Sequence, residues 1–365
     1  MKILCVIDSL GSGGAQRQMV ELALGFKDKG HEVSFLTYHH EPFYNHILEK
    51  ESISVSCIQE PNYLKRLIKM RRFIRQGRYS AVLSFLEAPN FICEIAGLPF
   101  RKWKLIVGER SSNPNIKKSL KLKMYRYFHL FADYIVANSH ANMKIVCSIN
   151  PLLPQRKCKV IYNIVDFEKW QSSVASISRK DRRIKLAVAA SHQYLKNLNG
   201  LVEAVNLLND EEKSRLNIEW YGDRLEEPYI DGSFKEAQAR IKRYNLESIF
   251  HFRPATHNLT KIFQECDAIG LFSKYEGLPN VICEGMACGK PIICTAVSDL
   301  PIVLSHHANL LSSPSDIESI RKALSSLLIL NDDELNKIGE ENRIVAKKYF
   351  DKSDKILAYL ALMSS

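Results

Sequence analysis

The sequence predicts an α/β protein of two domains, each built on a parallel β-sheet. Short apolar runs alternate with longer stretches of helical periodicity, the pattern of βαβ units. The runs fall into two series: residues 3–7, 32–38, 54–58, 81–85, 105–107, 134–137 and 159–162, then residues 185–189, 217–221, 250–252, 268–272 and 291–295. Between the series, residues 170–183 are rich in Ser, Arg and Lys without apolar periodicity and read as a linker. A length of 365 residues suits two such domains. The boundaries are placed at 1–168 and 169–343, and the last helical stretch, about 332–362, breaks near Phe350 and Asp351.

The first run, Ile3-Leu4-Cys5-Val6-Ile7, reads as a buried strand, because the apolar stretch is too short and too soon charged for a secretory signal. No apolar stretch reaches the ~20 residues of a membrane span. The strand leads into Asp8-Ser9-Leu10-Gly11-Ser12-Gly13-Gly14-Ala15-Gln16. Glycines between a strand and a helix allow a tight turn and close approach of backbone to a phosphate, or simply a structural turn. The dinucleotide fingerprint is absent, since the third glycine is not at its offset and no acidic residue closes a second strand.

The net charge of +11 is uneven. Residues 1–160 carry 25 basic and 12 acidic side chains, residues 161–365 carry 26 and 28, and residues 61–126 alone carry 16 and three. In that region Leu64, Leu67, Ile68, Phe73 and Ile74 interleave with Lys65, Arg66, Lys69, Arg71, Arg72 and Arg75. Leu120, Met124, Tyr127 and Phe131 interleave in the same way with Lys117, Lys118, Lys121, Lys123 and Arg126. Basic amphipathic helices of this kind suit an anionic membrane surface. No nucleic-acid-binding module accompanies them, so nucleic acid is not expected as a partner.

The nine cysteines are scattered, mostly among apolar residues, without a Cys-x2-Cys pair. They read as free thiols in a reducing compartment rather than as a zinc site. No metal site is expected.

Three segments carry candidate chemistry. Val107-Gly108-Glu109-Arg110-Ser111 ends a strand of the first series, where open parallel sheets bind ligands. Glu109 and Arg110, with Ser111 beside them, are read as groups facing a ligand, or Glu109 and Arg110 as a local ion pair. Ser191, His192 and Lys196 follow the first strand of the second series. Finally, Glu276-Gly277-Leu278-Pro279-Asn280-Val281-Ile282-Cys283-Glu284 places Glu276 on a loop and Glu284 inside the helix that Gly277 and Pro279 introduce. Backbone N–H groups at that helix start form a ready phosphate site between the carboxylates.

This last block resembles the Glu-x7-Glu signature of the retaining nucleotide-sugar glycosyltransferases of family 4, which have the GT-B fold. Its Gly-Leu-Pro-Asn variant is similar to members that build bacterial surface polysaccharides. Weaker similarities are colinear over nearly the whole chain, including Gly13-Gly14-Ala15, Val136-Ala137-Asn138-Ser139 and Tyr221-Gly222-Asp223. The resemblance implies two Rossmann-like domains whose sheets face an interdomain cleft, the first on the acceptor side and the second binding the donor. The last helix, about 344–365, would pack back on the first domain.

It further implies that Glu276, Lys196 and Arg110 serve catalysis. Glu284, Gly277, Leu278, Asn280, Val281, Gly13, Gly14, Ser191 and His192 would hold the donor. Glu109, Ser111 and Gln16 would line the acceptor side of the cleft. Ser191 stands where the family carries an Arg, which leaves open whether Arg110 or His192 supplies the second phosphate cation.

The implied reaction is retaining transfer from a UDP-sugar to a lipid-linked saccharide at the inner face of the membrane. It needs no cofactor and no metal, the nucleotide sugar being a substrate. Two alternatives stay open: a GT-B UDP-sugar isomerase, which would form epimer without acceptor, and a non-catalytic sugar-nucleotide-binding subunit.

Overall fold

A computed structural model describes residues 1–172, 183–222, 232–256 and 258–365. Residues 173–182 of the expected linker at 170–183 fall outside them, as does Asp223. The chain forms two compact units, residues 1–164 with 352–365, and residues 165–351.

The first unit holds β1 (Lys2–Val6), β2 (Glu32–Thr37), β3 (Ser54–Cys57), β4 (Ala81–Phe85), β5 (Lys104–Glu109), β6 (Tyr134–Ala137) and β7 (Cys158–Val160). Their order is β3-β2-β1-β4-β5-β6-β7, with every pairing parallel. A parallel sheet covered on both faces explains the continuous apolar runs. Along β1 the side chains still alternate: Ile3 and Cys5, with Ile7 beyond the strand end, pack with Phe26, whereas Leu4 and Val6 pack with Met70 and Trp103.

The helix Lys352–Ser364 completes this unit. Ile356, Tyr359 and Met363 join the cluster that contains Ile3 and Phe26. Tyr359 meets Phe26 edge-on at 6.4 Å between ring centroids. The helix Gly14–Asp28 touches this terminal helix so closely that a Cβ at Gly25 would collide with Ile356 Cδ1.

The second unit holds β8 (Ile184–Ala189), β9 (Leu216–Tyr221), β10 (Phe250–Arg253), β11 (Ala268–Leu271), β12 (Ile292–Thr295) and β13 (Leu311–Ser312). Their order is β10-β9-β8-β11-β12-β13, again all parallel. The sequence reading passes over β13, which at two residues is too short to show a period.

The unit boundaries correct the expected ones. Val165 N–H donates to Phe350 O at 2.9 Å, and Val165 bridges Asp351. The helix Asp332–Phe350 is anchored within the second unit, where Asn342 Nδ2 donates to Lys290 O at 2.9 Å. Residues 165–168 and 344–351 therefore belong to the second unit, and the chain rejoins the first only at Lys352.

In each sheet the strand order reverses beside its first strand, between β1 and β4 and between β8 and β11. The carboxyl ends of strands at such a reversal are where open α/β sheets bind ligands.

Among the described residues no helix is long and apolar enough to cross a membrane. The helices Tyr63–Gln76 and Leu120–Phe128 of the first unit adjoin, Tyr63 and Tyr125 hydroxyls lying 3.4 Å apart. Leu64, Ile68 and Leu120 on them are 67, 66 and 83% exposed.

Candidate active site

In the second unit, the loops leaving β8 and β11 are joined directly. Lys274 N–H donates to Leu195 O at 2.8 Å, clipping the turn Tyr194–Lys196 to the loop after β11. Asn197 then adopts a left-handed conformation, φ 59, and leads into the helix Leu198–Asn206. The result is an ion pair across the reversal point, with Lys196 Nζ 2.6 Å from Glu276 Oε1. Both side chains are largely enclosed, at 20 and 15% exposure.

The loop beyond Glu276 is pinned on both sides. Thr295 Oγ1 donates to Ser273 O at 2.7 Å, and Ser298 Oγ donates to Gly277 O. Leu278 is buried, and Pro279 precedes the helix Asn280–Ala287. Ile282 and Cys283 N–H groups turn back to Pro279 O at 3.2 and 3.4 Å, so Asn280 and Val281 occupy the first turn, ahead of the intrahelical pattern. Glu284 lies further along and is buried. A Cβ at Gly285 would sit 2.6 Å from Ile269 Cδ1, so glycine lets this helix lie tightly on β11. Lys196, Glu276, the helix start and Glu284 are thus gathered at one sheet edge of one unit.

Ser191 and His192 leave β8 beside them. Ser191 Oγ donates to Gln193 Oε1 at 3.4 Å. His192 does not project beside Lys196 as a second cation. Its ring is buried, stacked on Trp220 at 6.2 Å, with Phe234 at 4.3 Å and Phe252 at 5.8 Å.

In the first unit the turn after β1 lies at the other reversal point. Gly13 caps the helix start at Gly14 without a side-chain hydrogen bond. Gln16 Nε2 donates to Asp8 Oδ1 at 3.0 Å, and Ser9 N–H donates to the same oxygen at 2.7 Å. Burial raises the pKa of Asp8 despite these donors. Ser9 Oγ donates to Glu41 Oε2 at 2.7 Å. Leu86, just after β4, is held at φ 76, a conformation that non-glycine residues adopt only under strain.

Two expectations for this unit are corrected. Glu109 does not face a ligand. It is buried, its Oε2 taken by Arg126 Nη2 at 2.7 Å and its Oε1 by His129 Nε2 at 2.9 Å. His129 Nδ1 lies 2.7 Å from Glu94 Oε1, and Arg126, His129 and Glu94 are themselves buried. Burial opposes the charge on His129, but Glu94 and Glu109 outweigh it and hold its pKa up at about 9. Burial likewise opposes the charge on Glu109, and Arg126 and His129 more than reverse it, so its pKa is lowered.

Arg110 is the second correction. Its guanidinium lies 3.7 Å over the Phe85 ring and donates to Tyr359 Oη at 2.6 Å and to Asn163 Oδ1 at 3.3 Å. It ties the terminal helix to β5 rather than standing ready for phosphate, and burial lowers its pKa. Ser111 Oγ accepts from Asn113 N–H at 3.3 Å within its own loop. Sequence reasoning missed Glu41, although Tyr38-His39-His40-Glu41 directly follow β2 at the ligand edge of the sheet.

Comparison with known proteins gives two family matches, Glycosyltransferase Family 4 over residues 12–169 and Glycosyl transferases group 1 over residues 169–345. A Campylobacter jejuni N-acetylgalactosamine-N,N'-diacetylbacillosaminyl-diphospho-undecaprenol 4-alpha-N-acetylgalactosaminyltransferase is 27% identical, with 96% of each chain covered. A second C. jejuni protein, a GalNAc-alpha-(1->4)-GalNAc-alpha-(1->3)-diNAcBac-PP-undecaprenol alpha-1,4-N-acetyl-D-galactosaminyltransferase, is 24% identical over 92% of this chain and 91% of its own. The crystal structure of Anabaena HepE with UDP and glucose matches with a TM-score of 0.85 at 18% identity, covering 100% of this chain and 99% of that one. That likeness shows the GT-B fold.

Proposed function

The chain belongs to the family 4 glycosyltransferases and has their GT-B fold, and from that premise we propose that it moves a sugar from UDP to a lipid-linked saccharide in cell-surface polysaccharide synthesis. The observation that carries this reading is the Lys196–Glu276 pair and, in the same unit, the helix that bears Glu284. A sugar nucleotide needs such a set: a cation and amides for the diphosphate, and carboxylates for hydroxyl groups. Glu284 takes the ribose hydroxyls and Glu276 those of the transferred sugar. The first-turn amides of Asn280 and Val281, with the Gly277-Leu278 backbone, cradle phosphate. Lys196 neutralises charge as the diphosphate leaves. Ser191 adds a hydroxyl.

The reaction retains configuration and uses no metal. The acceptor oxygen bonds to the anomeric carbon on the face from which UDP departs. The carbon–oxygen bond to phosphate breaks, and a diphosphate oxygen takes the acceptor proton. The two Campylobacter relatives support a polyprenyl-diphosphate acceptor, since their names state one. The basic, partly apolar helices Tyr63–Gln76 and Leu120–Phe128 support work at the inner face of an anionic membrane.

The test is transfer from a panel of UDP-sugars to an undecaprenyl-diphosphate-linked N-acetylhexosamine, with EDTA present and the new linkage assigned by NMR. An α-linked product from an α-configured donor is expected. Absence of transfer from every donor overturns the proposal, and a β-linked product overturns the retaining course.

A further inference from the structure

The connection between the helix Glu87–Gly97 and β5 carries Phe100 at 82% exposure, on a backbone that the protein holds from behind. Arg75 Nη1 donates to Ala96 O at 3.0 Å, to Leu98 O at 3.3 Å and to Phe100 O at 3.1 Å. Arg71 Nη2 donates to Leu98 O at 2.8 Å. Leu98 N–H donates back to Ile95 O at 3.2 Å, and Pro99 has no N–H to satisfy. Arg101 extends the clamp, its Nη1 donating to Phe131 O at 2.8 Å and its Nη2 to Asp133 Oδ2 at 2.6 Å.

Two features separate this loop from an ordinary surface turn. Most exposed loops leave their carbonyls to water, whereas those of Ala96, Leu98 and Phe100 are capped by guanidinium groups. Backbone satisfied within the protein is what an apolar medium requires. The surrounding charge is of one sign: residues 95–108 contain Arg101, Lys102 and Lys104 and no Asp or Glu. An apolar tip ringed by cations matches an anionic lipid surface. The ring enters among acyl chains, and the cations meet headgroup phosphates. A protein partner could donate to open carbonyls; acyl chains cannot, so the capping favours lipid.

The loop also continues a stripe. Leu64, Ile68, Arg71 and Arg75 are spaced four, three and four residues apart on the helix Tyr63–Gln76, so they share one face. Exposed Leu64 and Ile68 begin that face, and the two arginines end it at the Phe100 loop. The helix has 14 residues, a length of about 21 Å.

We propose that Phe100 is a membrane anchor, and that the helix Tyr63–Gln76 lies along an anionic bilayer instead of touching it by its start alone. The proposal rests on the membrane reading above and adds how the first unit is seated there.

The experiment introduces one indole at a time, in Leu64→Trp and Phe100→Trp. Their emission is read with phosphatidylserine-containing vesicles whose acyl chains carry bromine. The native Trp103, Trp170 and Trp220 are at most 8% exposed, and the unsubstituted chain run alongside gives their background. Both introduced indoles are expected to shift to the blue and to be quenched by bromine at the same shallow acyl position. Phe100→Ser should weaken sedimentation with these vesicles about tenfold, whereas Phe100→Trp should not. Both positions are exposed, and matching thermal unfolding checks that the variants fold. Quenching at position 64 without quenching at position 100 overturns the anchor. Unchanged sedimentation of Phe100→Ser overturns it too and turns Phe100 towards a protein partner. Failure of the unsubstituted chain to sediment overturns the membrane reading instead.

Discussion

Lys196 Nζ and Glu276 Oε1 stand 2.6 Å apart across the point where the strand order of the second sheet reverses. Here the cation proposed for the diphosphate is held by the carboxylate proposed for the sugar. The two substitutions should therefore diverge. Lys196→Ala removes the phosphate cation and should weaken UDP binding about 10–100-fold. Glu276→Gln releases Lys196 from its partner, so UDP affinity should stay level or rise, while transfer falls about 10²–10³-fold. Calorimetry with UDP and turnover with the UDP-sugar separate the two readouts. Parallel losses of UDP affinity in both variants would refute the division of labour.

Glu284 is buried on the helix Asn280–Ala287 and is assigned to the ribose. Glu284→Ala should cost UDP about tenfold in affinity, the worth of a charged hydrogen bond. It should also erase the preference for UDP over 2′,3′-dideoxy-UDP. If calorimetry finds that preference intact, the ribose contact lies elsewhere.

The proposed donor side is legible in the sequence because its signal is local. Glu276 and Glu284 sit on one loop and helix, and Gly277 with Pro279 marks the junction. Lys196 is reached only through the family resemblance, as the Lys five residues after Ser191. The reversal at β8 and β11 that brings it to Glu276 is a property of strand order, not of spacing. Glu109 and Arg110 misled because adjacency to a strand end carries no information on burial. Their partners are Arg126, His129 and Tyr359, which no local pattern links to β5. The cage around His192 likewise draws Trp220, Phe234 and Phe252 from three separate elements. The alternation of apolar runs did reveal the strands, because both faces of each sheet are covered.

The buried Glu94–His129–Glu109–Arg126 cluster predicts a loss of stability at high pH. The folded pKa of His129, about 9, exceeds its unfolded value of 6.5. Its contribution is complete below about pH 6.5 and is lost as pH rises through about 9. The amount is on the order of a few kcal/mol. His129→Gln should lower stability near neutral pH by about 3–5 kcal/mol, because two carboxylates lose a buried partner. Denaturant unfolding of both proteins from pH 6 to 10 checks this. The wild-type advantage should shrink with pH, and a constant difference would show that His129 is neutral when folded.

Arg110 and Tyr359 predict how the terminal helix is fastened. The 2.6 Å bond runs from a charged donor, so Tyr359→Phe should cost about 1.5–3 kcal/mol. The loss should appear first as faster amide exchange across residues 352–364. Gly25→Val should do the same more severely, since Ile356 leaves no room for a side chain. Unchanged exchange in Tyr359→Phe would mean that packing against Phe26, not the Arg110 bond, carries the attachment.

The helices Tyr63–Gln76 and Leu120–Phe128 predict binding to anionic vesicles by two separable forces. Lys65, Arg72 and Lys121 are exposed on them, beside exposed Leu64, Ile68 and Leu120. Each basic residue near an anionic surface contributes ~1 kcal/mol. Changing these three to Gln should therefore weaken sedimentation with phosphatidylserine-containing vesicles about 100-fold. Salt should weaken the wild type in the same sense, because the Debye length shortens from ~8 Å at physiological ionic strength to ~3 Å at 1 M. The apolar side chains act differently: Leu64→Ser with Leu120→Ser should reduce the binding that persists at high salt. Equal binding to neutral and anionic vesicles would exclude the electrostatic part. Loss of all binding in high salt would exclude insertion of the leucines.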